Sequence, residues 1–252
     1  MLKDDPLRRV LYVDLSRRRF SIEDRAELFE QGLGGTGVAI RLLEEECPPG
    51  IDPSAPENPV ILAVGPLVGL FPIASKTVAM FKSPHTGNLG ESHAGGRSAV
   101  AVRMAGYGAI VLRGASATPV YLVIEDGRVH FRDARALWGM RSAATVGSVI
   151  REREAGPGTR TIMRIGRAGE VGVSYAGVIT ETYRHFGRLG LGAVLGSKRV
   201  KALVVAGRRA LQPPDRKAYR QLYDAIFRAA TDSPLMQKYH ELGTAMNVLP
   251  LD

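Results

Sequence analysis

Short apolar runs set the tightest limits on how this chain can fold. Val60–Val64 (VILAV) is wholly apolar and stops at Gly65-Pro66. Thr77–Phe81, Ala99–Met104, Ala109–Leu112 and Ala202–Val205 have the same character. Runs of this length suit strands buried on both faces better than packed helices. Pro119–Phe131 (PVYLVIEDGRVHF) predicts a hairpin: two alternating stretches joined at Asp126-Gly127, a pair that favours tight turns. Arg9–Leu15, Thr161–Ile165 and Ser174–Ile179 add further expected strands.

Helices are expected between them. Thr36 is placed to N-cap a helix through Glu46, with Ala39, Leu42 and Leu43 on its inner face. Ser142–Arg153 predicts a second. The most regular begins at Asp215, after Pro213-Pro214. Its Tyr219, Leu222, Tyr223, Ile226, Phe227 and Ala230 form one stripe at helical spacing, expected to be buried. The strand pattern stops at Gly207–Pro214, which divides the chain into a strand-rich domain (1–208) and the start of a helical one (209–252). The apolar end, Leu242–Asp252, is expected to continue into further chain or to meet a partner.

Composition narrows the function classes. With 252 residues, 45% of them hydrophobic, the chain can bury a substantial core. No apolar run reaches the roughly 18 residues of a membrane span, and the N-terminus has no signal-peptide core. A soluble, cytoplasmic protein without membrane contact is the expectation. The single cysteine, Cys47, cannot form an intrachain disulfide. Nor can it supply the four thiolates of a 4Fe-4S cluster. The five histidines are scattered, without metal-binding spacing. A formal charge of +9 points to an anionic partner or to a solvated basic surface. Nucleic acid is disfavoured as that partner, because stacking aromatics and a helix-turn-helix pattern are lacking.

Two segments concentrate glycine with cations: GESHAGGR (Gly90–Arg97) and YRHFGRLGLGAVLGSK (Tyr183–Lys198). Glycine lets a backbone approach a ligand closely, and arginine pairs with phosphate or carboxylate oxygens. Singly, the first reads as a turn between strands and the second as a glycine-rich loop leading into a strand. Together they read as two sides of one anion site. Outside such a site, His93 and His185 are ordinary loop histidines, and Glu181 is a solvated acid. Lys198 and Lys201 are expected to flank a strand edge.

Seven motifs in order carry a resemblance. RVLYVDL, LGGTG (Leu33–Gly37), GPLVG (Gly65–Gly69), KSPHTG (Lys82–Gly87), GESHAGGR, AGYGAIVLRG (Ala105–Gly114) and GRLGLGAVLGSKRVKAL (Gly187–Leu203) resemble the N-terminal domain of aldehyde:ferredoxin oxidoreductases. RDARALWG (Arg132–Gly139) fits the same pattern, and the likeness covers about residues 8–208. It implies an α+β fold: two β-sheets with flanking helices about a pseudo-two-fold, followed by a short helical C-terminal segment. It also implies a bis-pterin cofactor, tungstopterin or molybdopterin, lying on this domain.

The resemblance assigns cofactor contacts to Lys76, His93, Gly95, Arg184, His185, Gly187 and Arg188, and no catalytic residue. Lys76 stands where the family has arginine. His93 stands where an asparagine contributes to a magnesium ion bridging the pterin phosphates, so His93 is the candidate magnesium ligand. His185 and Phe186 replace small residues, and Thr36 replaces an arginine. Such an enzyme oxidises an aldehyde to a carboxylic acid and passes electrons to an iron–sulfur cluster and then to ferredoxin. The cluster and the aldehyde channel belong to later domains or to an iron–sulfur partner chain, so this chain alone is expected to be inactive. The alternative is a non-catalytic assembly or cofactor-carrier protein that retains the fold.

Overall fold

The computed structural model describes residues 5–181 and 184–248. Tyr183, which opens the second glycine-rich segment, and the last four residues of the apolar end, Leu242–Asp252, lie outside the described residues. The first half supplies β1 (Arg9–Asp14), β2 (Arg19–Asp24), β3 (Val60–Val64), β4 (Thr77–Lys82), β5 (Leu89–Ala94) and β6 (Ala109–Arg113). The second supplies β7 (Val120–Glu125), β8 (Arg128–Asp133), β9 (Thr159–Arg164), β10 (Val178–Thr180), β11 (Arg184–Phe186) and β12 (Val200–Gly207). Helices are α1 (Ala26–Gly32), α2 (Thr36–Glu46), α3 (Ser98–Ala105), α4 (Ala143–Arg153), α5 (Arg167–Glu170), α6 (Leu191–Ser197), α7 (Arg216–Thr231) and α8 (Pro234–Leu242).

Among the described residues the strands form two six-stranded mixed sheets, ordered β2-β1-β6-β3-β4-β5 and β11-β10-β9-β12-β7-β8. Adding six to each strand number of the first and reversing the order gives the second. The sense of pairing repeats too: β1–β6 and β7–β12 are parallel, and the other pairs are antiparallel. α3 precedes β6 as α6 precedes β12. The chain is a structural duplication, and the expected pair of sheets about a pseudo-two-fold is present.

The duplication is held together by a shared core. Val60–Val64 is buried at every position, as an unbroken apolar strand inside a sheet should be. One cluster joins Leu11, Ile61, Phe81 and Ile110 of the first sheet to Leu122, Met163, Leu203 and Val205 of the second. A smaller cluster seals the second sheet against Val146 and Ile150 of α4. Ser142 caps that helix, its Oγ accepting from Thr145 N at 3.2 Å. The β7–β8 hairpin turns at Asp126-Gly127, both at positive φ (47° and 75°), which fits this pair's tolerance of left-handed backbone.

Several expectations are corrected. Ala99–Met104 is not a strand but most of α3, whose residues are buried on nearly every side. A helix without a polar face has no period of 3.6 to read, and only Gly106, its left-handed C-cap (φ 96°), marks it. The Ser174–Ile179 strand shrinks to the three residues of β10. Gly187–Gly196 ends in the helix α6 rather than running as a loop into a strand. Gly35, not Thr36, holds the cap position of α2, and the Thr36 hydroxyl donates to Glu91 Oε1 at 3.2 Å. The α7 stripe is helical, with Asp215 accepting from Lys217 N and Ala218 N. Yet none of its described side chains is buried, and Leu222 and Phe227 are half exposed.

Lys198 and Lys201 do not flank an edge; both are fully buried. Lys201 pairs with Glu170 of α5. Lys198 Nζ donates to the carbonyls of Pro56 (2.8 Å) and Gly114 (2.9 Å), clasping the second half to the first. Burial pushes the Lys198 ammonium down to about 8. The unfolded chain keeps that proton up to the ordinary lysine range, so between these values it binds more protons than the native state. Stability therefore rises with pH through this window. The contribution expected from about pH 8 to about pH 10 is ~2 kcal/mol. Urea melts of wild type and Lys198→Met at both pH values check this, because the difference between the two should change by that amount. A constant difference would show that Lys198 stays charged in the fold.

Candidate functional site

β5 and β11 are the edge strands nearest the junction of the two halves, and they present the sequence-predicted residues. Alternation along β5 puts Glu91 and His93 on one face. His93 sits opposite Val78, the second residue of β4, and His185 sits opposite Ile179, the second residue of β10. The two histidines thus hold matching places in the duplication. Each is followed by x-Gly, so the repeat that is faint in residue identity is real in structure. Thr77 pairs with Ala94, so the residues next along, Lys76 and Gly95, flank the end of that ladder.

A cleft of about 560 Å³ opens here, lined by Lys76 and His93 from the first half and His185, Gly187 and Arg188 from the second. Five of the seven predicted contacts therefore share one wall. Gly95 and Arg184 are not in that lining, but both sit beside it. A Cβ on Gly95 would meet nothing within 4 Å, so its backbone faces open space. Gly96 has φ +89°, and a Cβ there would come 3.1 Å from Arg184 Cγ, so the two glycine-rich segments touch at this point. Cross-ties fix the junction: Arg188 N donates to Ser92 Oγ (3.4 Å) and Ser83 Oγ donates to Leu189 O (2.7 Å).

The charge of the cleft is one-sided. Lys76, Arg184 and Arg188 are exposed and form no ion pair among the described residues. Glu91 is the acid at hand. Its Oε1 lies 2.7 Å from His93 Nε2 and also accepts from Thr36 Oγ1. The His93 hydrogen bond holds the Glu91 carboxyl below its ordinary value, with help from Thr36 and from the charge of Arg188. Glu91 was not among the sequence-predicted residues. Its signal was present, since a residue two places before His93 on a strand shares its face. Glu181, expected to be solvated, is instead half-buried and accepts hydrogen bonds from Thr161 and from Thr180 Oγ1 (2.7 Å). Among the described residues no group of three or more His, Cys, Asp or Glu side chains is placed to hold a metal ion.

Fold and cleft define a class: a duplicated two-sheet domain whose halves meet at a cationic, glycine-edged cleft. Residues 10–207 match the family described as aldehyde ferredoxin oxidoreductase, N-terminal domain. The chain belongs to the aldehyde ferredoxin oxidoreductase family. It is 37% identical over 213 residues to the tungsten-containing aldehyde ferredoxin oxidoreductase of Pyrococcus furiosus, covering 84% of this chain and 35% of that protein. A second Pyrococcus furiosus protein, the WOR-like subunit of an aliphatic sulfonate oxidoreductase, is 30% identical over 79% of this chain and 34% of its own length. Among solved structures, the active site complex BamBC of benzoyl coenzyme A reductase with 1,5-dienoyl-CoA superposes with a TM-score of 0.81 at 31% identity. That likeness covers 90% of this chain and 34% of the other. The chain thus spans about a third of the length of the relatives it matches. Among the described residues no helix is long and apolar enough to cross a membrane.

Proposed function

We propose that this chain is the cofactor cradle of an oxidoreductase that uses a tungsten or molybdenum bis-pterin. The observation that carries the reading is the cleft itself, where each half of the duplication contributes cations and imidazole to one space. The residues fit a phosphate-bearing group. Lys76, Arg184 and Arg188 offer charge that no carboxylate among the described residues pairs with, and the bare backbone at Gly95 allows close approach. Lys76 supplies a point charge where a guanidinium would bind with two parallel hydrogen bonds. A magnesium ion shared between phosphates fits less well. It prefers oxygen ligands, and here it would find His93 and a Glu91 carboxylate already engaged by His93 and Thr36.

The bound metal centre would supply two-electron redox chemistry. This chain's residues would hold the cofactor's phosphates, orient it across the pseudo-two-fold and screen its charge; none moves a substrate proton. Oxidation of an aldehyde to a carboxylic acid takes up one water and releases two protons and two electrons. The electrons would leave through an iron–sulfur cluster on a partner chain or further domain, then to ferredoxin, in the cytoplasm. Relatives named for aldehydes, sulfonates and benzoyl-CoA are similar to this chain, which supports a reading in which substrate choice lies outside this domain. Residues 209–252 begin the helical region that would meet that remainder, through the exposed stripe of α7.

Purification from cells supplied with tungstate or molybdate tests the proposal. Metal by mass spectrometry and oxidised pterin by fluorescence are expected together on the folded chain. A folded chain carrying neither would leave only an assembly role.

A further inference from the structure

A second and larger cleft, of about 750 Å³, shares no lining residue with the first. Its walls come from three places far apart in sequence: Arg97 at the start of α3, Arg151 on α4, and Arg160 on β9 behind the glycine-rich stretch 155–158. Glu181 is its acid. From this cleft we infer a second anion site, distinct from the cradle above, that takes a small molecule carrying a diphosphate group.

The charges are not balanced. Arg160 Nη2 is paired with Glu125 at 3.2 Å, and its Nη1 donates to the Glu154 carbonyl. Beneath the cleft lies Arg164, almost fully buried. It bonds backbone carbonyls, with Nη1 to Glu181 O at 2.7 Å and Nε to Ala143 O at 2.5 Å, and no carboxylate among the described residues. Burial, and then the neighbouring charge of Arg151, push that guanidinium down from its ordinary value, while Glu181 acts the other way. Glu181 offsets Arg164. Arg97 and Arg151 remain, both exposed, with no ion pair among the described residues. The surplus of about two positive charges calls for a dianion.

Arg160 Nε is buried and has no hydrogen-bond partner among the described residues, so the guanidinium is held to the fold through Nη1 and Nη2 alone. Gly156 leaves room for the guanidinium: a Cβ there would fall 2.9 Å from Arg160 Nη2. Among the described residues no aromatic side chain lines the space, so charge and hydrogen bonds would provide recognition. The volume lies in the range of small-molecule sites and exceeds what a single phosphate fills.

Calorimetric titration of the full chain tests the inference. The Arg188→Glu background silences the first cleft. Inorganic pyrophosphate is expected to bind that variant at one site per chain, more weakly as salt is raised. Adding Arg151→Glu, on an exposed helix face, is expected to weaken binding about 30-fold, and Gly156→Ala by about tenfold with helix content unchanged. ADP run in parallel separates the sources. Tighter binding of ADP than of pyrophosphate assigns the site to a nucleotide, and the reverse assigns it to free diphosphate. Absence of saturable binding in the Arg188→Glu chain, or binding indifferent to Arg151→Glu, overturns the inference while leaving the cradle untouched. Pyrophosphate binding in wild type that is lost with Arg151→Glu but not with Arg188→Glu would count against the cradle instead.

Discussion

Gly196→Ala is expected to cost about 4 kcal/mol, a large part of the roughly 5–15 kcal/mol that holds a domain folded. Gly196 lies in α6, with helical backbone that any residue adopts, so conformational strain plays no part. The cost is steric. An added Cβ would stand 2.7 Å from the carbonyl carbon of Gly169, closer still to its oxygen, and 3.4 Å from Glu170 N. These are backbone atoms of α5 and cannot swing aside as a side-chain tip would. Gly192, one turn earlier, is equally pressed, with the Ala176 carbonyl oxygen 2.8 Å from its would-be Cβ. Separating α5 from α6 would also strain the buried Lys201–Glu170 pair, and a buried charge that loses its partner is strongly destabilising. Urea denaturation followed by circular dichroism measures the loss. A variant within about 1 kcal/mol of wild type would show that α5 shifts freely.

The same contacts explain what could be read in advance. β3 and the β7–β8 hairpin were legible because local pattern and burial agree: VILAV is buried throughout, and Asp126-Gly127 turns where such a pair should. α3 was misread because its small apolar residues are buried all round, leaving length as the cue. β11 has three residues and exists through its pairing with β10, so no window of sequence displays it. Lys198 and Lys201 look like surface lysines, and their partners at Pro56, Gly114 and Glu170 come together only in the fold. The α7 stripe reads as buried because amphipathic spacing reports a face that needs cover, not what covers it. In the cleft, Lys76, His93 and Arg188 were found through the order of motifs. Glu91 is legible from alternation alone, two places before His93 on one face of β5.

Arg188→Glu is expected to reduce co-purified pterin and metal about 100-fold while leaving the fold intact. The Arg188 side chain is exposed, so its reversal does not disturb the core. Its backbone bond to Ser92 does not depend on the side chain. Charged hydrogen bonds to phosphate contribute about 1.5–3 kcal/mol each, and reversal adds repulsion from a second acid beside Glu91. About 2.7 kcal/mol corresponds to two orders of magnitude in affinity. Gly95→Ala separates cradle from scaffold by another route. Its Cβ enters open space without backbone strain, so stability should match wild type. If that open space is where the ligand's phosphate approaches the backbone, cofactor content should fall although no charge has changed. The result that would sink the cradle is full cofactor content in Arg188→Glu and Gly95→Ala alike, because it would place the ligand away from the line where the two halves of the duplication meet.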